Sequence, residues 1–296
     1  AWTNNGTAPV NVVYTITPVS AAGCAGNAFT VTISVNPEPV GNTDTETVCS
    51  DESLGSSVLL TTTGGSVAAA SYTISVNNGG LVQSGGSDSN GSGKTASELI
   101  GDRWRNTGLV AVDVIYTVTP VSSEGCIGDD FTVTVTVNPE PVGIADAETV
   151  CSDQAVSVTL ATTGASVAAA SYTISVNANG LTQSGGTTSS GTGKTDSELI
   201  GDAWTNAGLT PVSVVYTVTP VSADGCSGDS FIITVTVNPE PVGISDTETV
   251  CSEAAVSVTL ATTAGSVSAQ DYTIAVNANG LTQSGGTASA GANKSA

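Results

Sequence analysis

Phe131-Thr132-Val133-Thr134-Val135-Thr136-Val137 alternates apolar and polar residues without a lapse. In an extended chain successive side chains point to opposite faces, so Phe131, Val133, Val135 and Val137 share one face and the threonines the other. This is the pattern of a half-buried strand, and β-branched residues suit a pleated surface better than a helix. Upstream, Val112, Val114, Tyr116 and Val118 repeat the alternation, with Asp113, Thr117 and Thr119 outward. Pro120, Gly125, Cys126 and Gly128 lie between the two runs and predict a hairpin joining them. Tyr72, Ile74 and Val76 predict a third strand. Val58 and Leu60 predict a fourth, seen again in Val156, Val158 and Leu160. Asn179-Gly180 and Asn279-Gly280 tolerate positive φ, as a tight hairpin requires. ELIGDRWRN, around Trp104, fits either a short strand or a helical turn.

The same segments return along the chain. VVYTITPVSAAGC ending at Cys24 recurs as VIYTVTPVSSEGC ending at Cys126 and VVYTVTPVSADGC ending at Cys226, spaced 102 and then 100 residues apart. NPEPVG recurs at Asn36, Asn138 and Asn238, and ETVCS at Glu46, Glu148 and Glu248. The two-residue difference falls between Cys49 and Tyr72, which predicts a surface loop there, since a strand would lose its register. Prolines flanking Glu140 stiffen the junction and cannot donate to a ladder. The expected organisation is a C-terminal part of a repeat at 1–37, complete repeats at 38–139 and 140–239, and an N-terminal part at 240–296. Roughly seven short strands per hundred residues describe an all-β, antiparallel sandwich of immunoglobulin-like type, repeated in tandem. Tyr, Phe and Trp104 are then core residues, with an exposed sugar platform at Trp104 the alternative. The partial repeats are expected to be completed by continuous flanking segments, or else by neighbouring copies head to tail.

Composition excludes several functions. There are 26 acids against 5 bases, a formal net charge of −21, and no histidine. Nucleic acid needs a basic footprint and would repel this chain, and an anionic membrane surface is disfavoured likewise. No run of 18 apolar residues exists to insert in a membrane. Without histidine a Ser-His-Asp triad cannot be built, and no catalytic residue is assigned. Asp129, Asp130, Glu98 and Asp102 adjoin glycines or expected loops and read as solvated turn residues, with calcium the one ion they leave open. Gly91-Ser92-Gly93-Lys94-Thr95 imitates the end of a phosphate loop, but Asp88 stands where that loop needs glycine. No cofactor or metal site is assigned. An isopeptide link from Lys94, Lys194 or Lys294 does not suit a Gly/Ser loop.

Six cysteines in small β units without histidine read as disulfides formed in an oxidising compartment, not as zinc ligands. Linking Cys126 to Cys151 would need closure across a strand of about ten residues, roughly 30 Å, against the ~7 Å between Cα atoms that a disulfide allows. The expected pairs are therefore Cys49 with Cys126 and Cys151 with Cys226. Cys24 and Cys251 are then left to partners outside the chain.

The combination of TVCS, YTVTPVSSEGC and FTVTVTVNPEPV resembles the PKD-like and immunoglobulin-like repeats of giant surface proteins in Bacteroidetes, among them gliding-motility adhesins of flavobacteria. The resemblance spans the whole chain. It implies export by the type IX secretion system, an extracellular cell-surface location and no catalytic residues. The expected role is a structural shaft whose partners are neighbouring repeats of the same chain. The alternatives are a multivalent module for surface polysaccharide and a strand-complemented polymer.

Overall fold

The computed structural model describes residues 1–287 and 289–295. The chain forms two compact units, Ala1–Val142 with Thr163–Ala168 and Ser222–Ser227, and Gly143–Thr162 with Ala169–Val221 and Gly228–Ala296.

In the first unit a ribbon of β1 (Val10–Ile16) and β2 (Phe29–Val35) precedes seven strands. These are β3 (Asp44–Cys49), β4 (Ser71–Asn77), β5 (Val82–Gly85), β6 (Gly91–Lys94), β7 (Arg103–Arg105), β8 (Val112–Val121) and β9 (Phe131–Asn138). They make a five-stranded sheet, β3-β9-β8-β4-β6, and a two-stranded one, β5-β7. The second unit repeats this plan with β10 (Asp146–Cys151), β11 (Ser171–Asn177), β12 (Thr182–Gly185), β13 (Gly191–Lys194), β14 (Ala203–Thr205), β15 (Val212–Val221) and β16 (Phe231–Asn238). Its sheets are β10-β16-β15-β11-β13 and β12-β14, followed by a ribbon of β17 (Tyr272–Ile274) and β18 (Gly291–Lys294). The fold is a tandem array of Ig-like β-sandwiches.

The alternating runs pair as expected. β8 and β9 form an antiparallel hairpin in register from Val112↔Val137 to Val118↔Phe131, which sets Val114, Tyr116 and Val118 beside Phe131, Val133 and Val135. All six side chains are buried, and each contributes about 1.5–3 kcal/mol by leaving water. Tyr72 meets Phe131 edge-to-face across a centroid distance of 6.5 Å. Trp104 lies in this core on β7, so ELIGDRWRN is a series of turns ending in a short strand and offers no exposed ring.

Three expectations change. First, β3 runs parallel to β9, with Asp44↔Val133 and Cys49↔Asn138, so the sheet is mixed, not purely antiparallel. Second, the predicted fourth strand is absent: Ser56–Val58 is a 3-10 turn and Leu60 lies in an irregular segment. Val58 and Leu60 are buried all the same, and the Leu60 backbone bonds to Ala96 O and receives the Tyr72 hydroxyl instead of a ladder. The two-residue difference between repeats falls in this loop. Third, Asn179-Gly180, with φ of 48° and 90°, joins β11 to β12, which belong to different sheets. It carries the chain from one layer to the other and closes no hairpin.

β1 and β2 pair in the register of β8 and β9, yet Val13, Phe29 and Ile33 on the ribbon are exposed. Residues 246–251 have the sequence of β3 but form no strand.

The glycine of the NPEPVG junction has a packing reason. A Cβ at Gly143 would overlap the Phe231 ring, as one at Gly41 would overlap Phe131, whereas Gly243 faces open space. Gly143→Ala should therefore cost about 1–3 kcal/mol by overpacking, and Gly243→Ala far less. Urea titration checks this: the Gly143 variant should unfold at lower denaturant with an unchanged slope.

Candidate functional site

The most chemically distinctive feature of each repeat is a buried carboxylate. Gly86 and Gly101, with φ of 89° and 97°, turn the chain so that Asp102 enters the core just before β7. A Cβ at Gly86 would collide with Asp102, so only glycine fits. Asp102 is 1% exposed. Its Oδ1 accepts from Gln83 Nε2 at 3.2 Å, and its Oδ2 from Ser89 Oγ at 2.8 Å and the Tyr116 hydroxyl at 3.0 Å. Trp104 Nε1 donates to the same hydroxyl at 2.8 Å. In the next repeat Asp202 accepts from Gln183, Ser189 and Tyr216 at 3.1, 2.6 and 3.0 Å, and Trp204 donates to Tyr216 at 2.9 Å.

The donors come from both layers: Gln83 from β5, Trp104 from β7 and Tyr116 from β8. The carboxylate is thus a polar pin between the two sheets. Burial raises the Asp102 and Asp202 carboxyls above their ordinary value, against the opposing pull of the serine and tyrosine hydrogen bonds. The same burial, with the carboxylate alongside, drives Tyr116 and Tyr216 upward. Buried in the core, this arrangement binds the layers together.

A second motif secures the repeat junction. Asn106 Nδ2 donates to Val110 O at 3.0 Å and Val137 O at 2.8 Å, and its backbone N–H donates to Ser50 Oγ at 2.9 Å. Its carbonyl accepts from Glu140 N–H at 2.9 Å. Asn206 makes the same bonds to Thr210, Val237 and Ser152. Buried Glu140 meets Arg105 at 3.2 Å. The sequence predicted Asp102 as a solvated turn carboxylate and did not single out Asn106. The signal was the spacing Asp-x-Trp-x-Asn, present at Asp102 and Asp202, with its Trp-x-Asn part at Trp2.

The remaining sequence candidates separate. Asp102 is buried, not a solvated turn residue, because its acceptors are filled by core donors. Glu98 pairs with Lys94 at 3.0 Å, and Glu198 with Lys194 at 2.8 Å. Asp129 and Asp130 are exposed. The segment that imitates a phosphate loop is β6, an edge strand against β4. Among the described residues no three Cys, Asp or Glu side chains gather as a metal would need.

The cysteines pair differently from expectation. Cys49 is bonded to Cys226, 177 residues away and within the first unit, with Cα atoms 5.3 Å apart. Cys126 and Cys151 carry free thiols, as do Cys24 and Cys251. The expected Cys49–Cys126 and Cys151–Cys226 bonds fail on strand direction. Because β3 is parallel to β9, Cys49 stands opposite Asn138, whereas Cys126 precedes Phe131 at the other end of β9. The length of β9 separates them by about 23 Å, beyond the ~7 Å limit. Cys151, opposite Asn238, stands in the same relation to Cys226.

Strand order, core and pin define an immunoglobulin-like sandwich repeat. The chain belongs to the PKD-like domain family, whose model matches residues 1–39, 46–141 and 148–241. No curated protein matches. Among solved structures it is similar to the fibronectin(III)-like modules of Clostridium thermocellum CbhA, at 11% identity over 67% of this chain and 91% of that one, with a TM-score of 0.23. It is similar also to the FN1-FN3 domains of chicken CNTN1, at 11% identity over 78% of this chain and 76% of that one, with a TM-score of 0.29. Mouse cadherin-23 EC22-24 matches at 9% identity over 78% and 74%, with a TM-score of 0.24.

The pin makes two predictions. Asp202→Ala leaves Gln183, Ser189 and Tyr216 without their acceptor and should cost about 1–3 kcal/mol for each donor that water does not reach. Since the folded-state pKa of Asp202 is raised, its contribution to stability is greatest at low pH and is lost as pH rises through the carboxylate range. The stability of the unaltered chain minus that of Asp202→Asn should therefore fall as pH rises from about 4. Denaturation at a series of pH values measures it; a difference that grows with pH would contradict the assignment.

Proposed function

We propose that the chain is a segment of the load-bearing shaft of an extracellular, cell-surface adhesion protein, its repeats holding a binding region away from the cell. The observation that carries this reading is the Cys49–Cys226 bond, which ties one sequence repeat to the next. A bond in that position limits extension of the chain, a property that suits a stalk. Disulfides also persist in an oxidising, extracellular setting. The finer reading places it with the SprB-type gliding-motility adhesins of Bacteroidetes, exported by type IX secretion. It rests on the sequence resemblance and on membership of the PKD-like family. The chain's partners in this reading are its neighbouring repeats, and the protein has no catalytic role.

A strand-complemented polymer is the second reading, favoured by the exposed apolar residues of the β1–β2 ribbon. Sedimentation of the oxidised chain separates the two: the shaft reading expects a monomer, and head-to-tail filaments would favour the polymer.

Pulling the single chain by its ends tests the shaft. With the bond intact the 177-residue loop cannot extend, so reductant should lengthen the fully stretched chain by about 600 Å. Equal lengths in the two conditions would remove the support for a load-limiting bond. A glycan array addresses the polysaccharide alternative. Saturable binding there, lost on substituting exposed Asn78 or Val82 in the depression beside Trp104, would make the repeat a binding module.

A further inference from the structure

The two bonded cysteines occupy positions that recur in every repeat. Cys49, Cys151 and Cys251 lead into the same turn, in which the residue two positions on has positive φ: Asp51 at 59°, Asp153 at 59° and Glu253 at 68°. The Cys49 carbonyl accepts from Glu52 N–H at 3.1 Å, the Cys151 carbonyl from Gln154 N–H at 3.1 Å, and the Cys251 carbonyl from Ala254 N–H at 3.0 Å. Cys24, Cys126 and Cys226 likewise share one turn. Their N–H groups donate to Ser20, Ser122 and Ser222 Oγ at 3.2, 3.1 and 3.1 Å. The backbone around each cysteine is therefore the same, bonded or not. What differs is cover: Cys226, in the bond, is fully buried, whereas Cys24 and Cys151 are exposed and Cys126 is partly so.

We infer that Cys49–Cys226 is one rung of a covalent ladder, in which the cysteine that ends the first strand of each repeat bonds the turn cysteine of the next repeat along the chain. By this rule Cys151 takes the turn cysteine of a following PKD-like repeat, and Cys126 takes the first-strand cysteine of a preceding one. Strand direction already excludes bonding within one repeat, and no other pairing rule reproduces the Cys49–Cys226 bond. Each rung forms from two thiols. Their two protons and two electrons pass to a disulfide oxidant such as oxidised glutathione, which leaves as two thiols. The loops so closed overlap, because the rung from Cys151 begins inside the loop from Cys49 to Cys226. Every complete repeat is then covalently tied in both directions.

The test joins two copies of the whole chain through Ser-Glu-Leu-Ile-Gly-Asp, the sequence of residues 197–202, which brings Ala296 into the repeat frame of Ala1. The fusion is oxidised in glutathione buffer, alkylated, digested without reductant and mapped by mass spectrometry. The ladder predicts peptides joining Cys151 of the first copy to Cys24 of the second, and Cys251 of the first to Cys126 of the second. Cys49–Cys126 or Cys151–Cys226 peptides would overturn it, as would Cys151 of the first copy remaining open to alkylation. The single chain supplies an independent measurement. Cys49 and Cys226 should resist alkylation while Cys126 and Cys151 react, and Cys49→Ser should expose Cys226. A Cys126–Cys151 bond in the single chain would also overturn the ladder. These maps do not depend on whether the array bears load, so the ladder and the shaft can fail separately.

Discussion

The parallel pairing of β3 with β9 is the contact on which the rest of the architecture depends. It supplies the outer edge of the five-stranded sheet and carries Val48 into the core. It also fixes the end of the sandwich at which Cys49 emerges, beside Asn138 and the junction. Parallel strands need a crossover, and here the whole sandwich between Cys49 and Phe131 provides it. Residues 246–251 have the same sequence and are not a strand.

Inside that frame the aspartate pin resolves a difficulty of small sandwiches. The second layer has only two short strands, β5 and β7. A buried carboxylate with its acceptors filled ties those strands and β8 to one point. Removing one partner costs more than the bond contributes, because the remaining groups are left dry and unpaired. Gly86, which leaves room for the carboxylate, is as necessary to the pin as its donors.

Much of this could be read from the sequence. The alternations at Val112–Val118 and Phe131–Val137 specify strand, face and hairpin together, and those elements formed as read. Val58 and Leu60 alternate too, but two apolar positions do not say whether the backbone between them has an edge to join, and here it does not. Strand direction was the larger gap. Asp44–Cys49 is equally compatible with parallel and antiparallel pairing, and only the neighbour decides, so the bonding of Cys49 was misplaced by the length of a strand. Asp102 was read as solvated because it follows glycine in a polar segment. Its burial depends on Ser89, Gln83 and Tyr116, which are distant in sequence and meet only in the folded core.

The bond between Cys49 and Cys226 bears also on wear. Exposed loops within it, such as Asn78-Gly79-Gly80 and Ser123-Glu124, are the places where a protease would first cut. A single cut there opens the backbone, yet both new ends remain attached through the sulfur bridge and through the sheet that surrounds them. A repeat array stitched in this way keeps its continuity after damage that would sever an ordinary chain of domains.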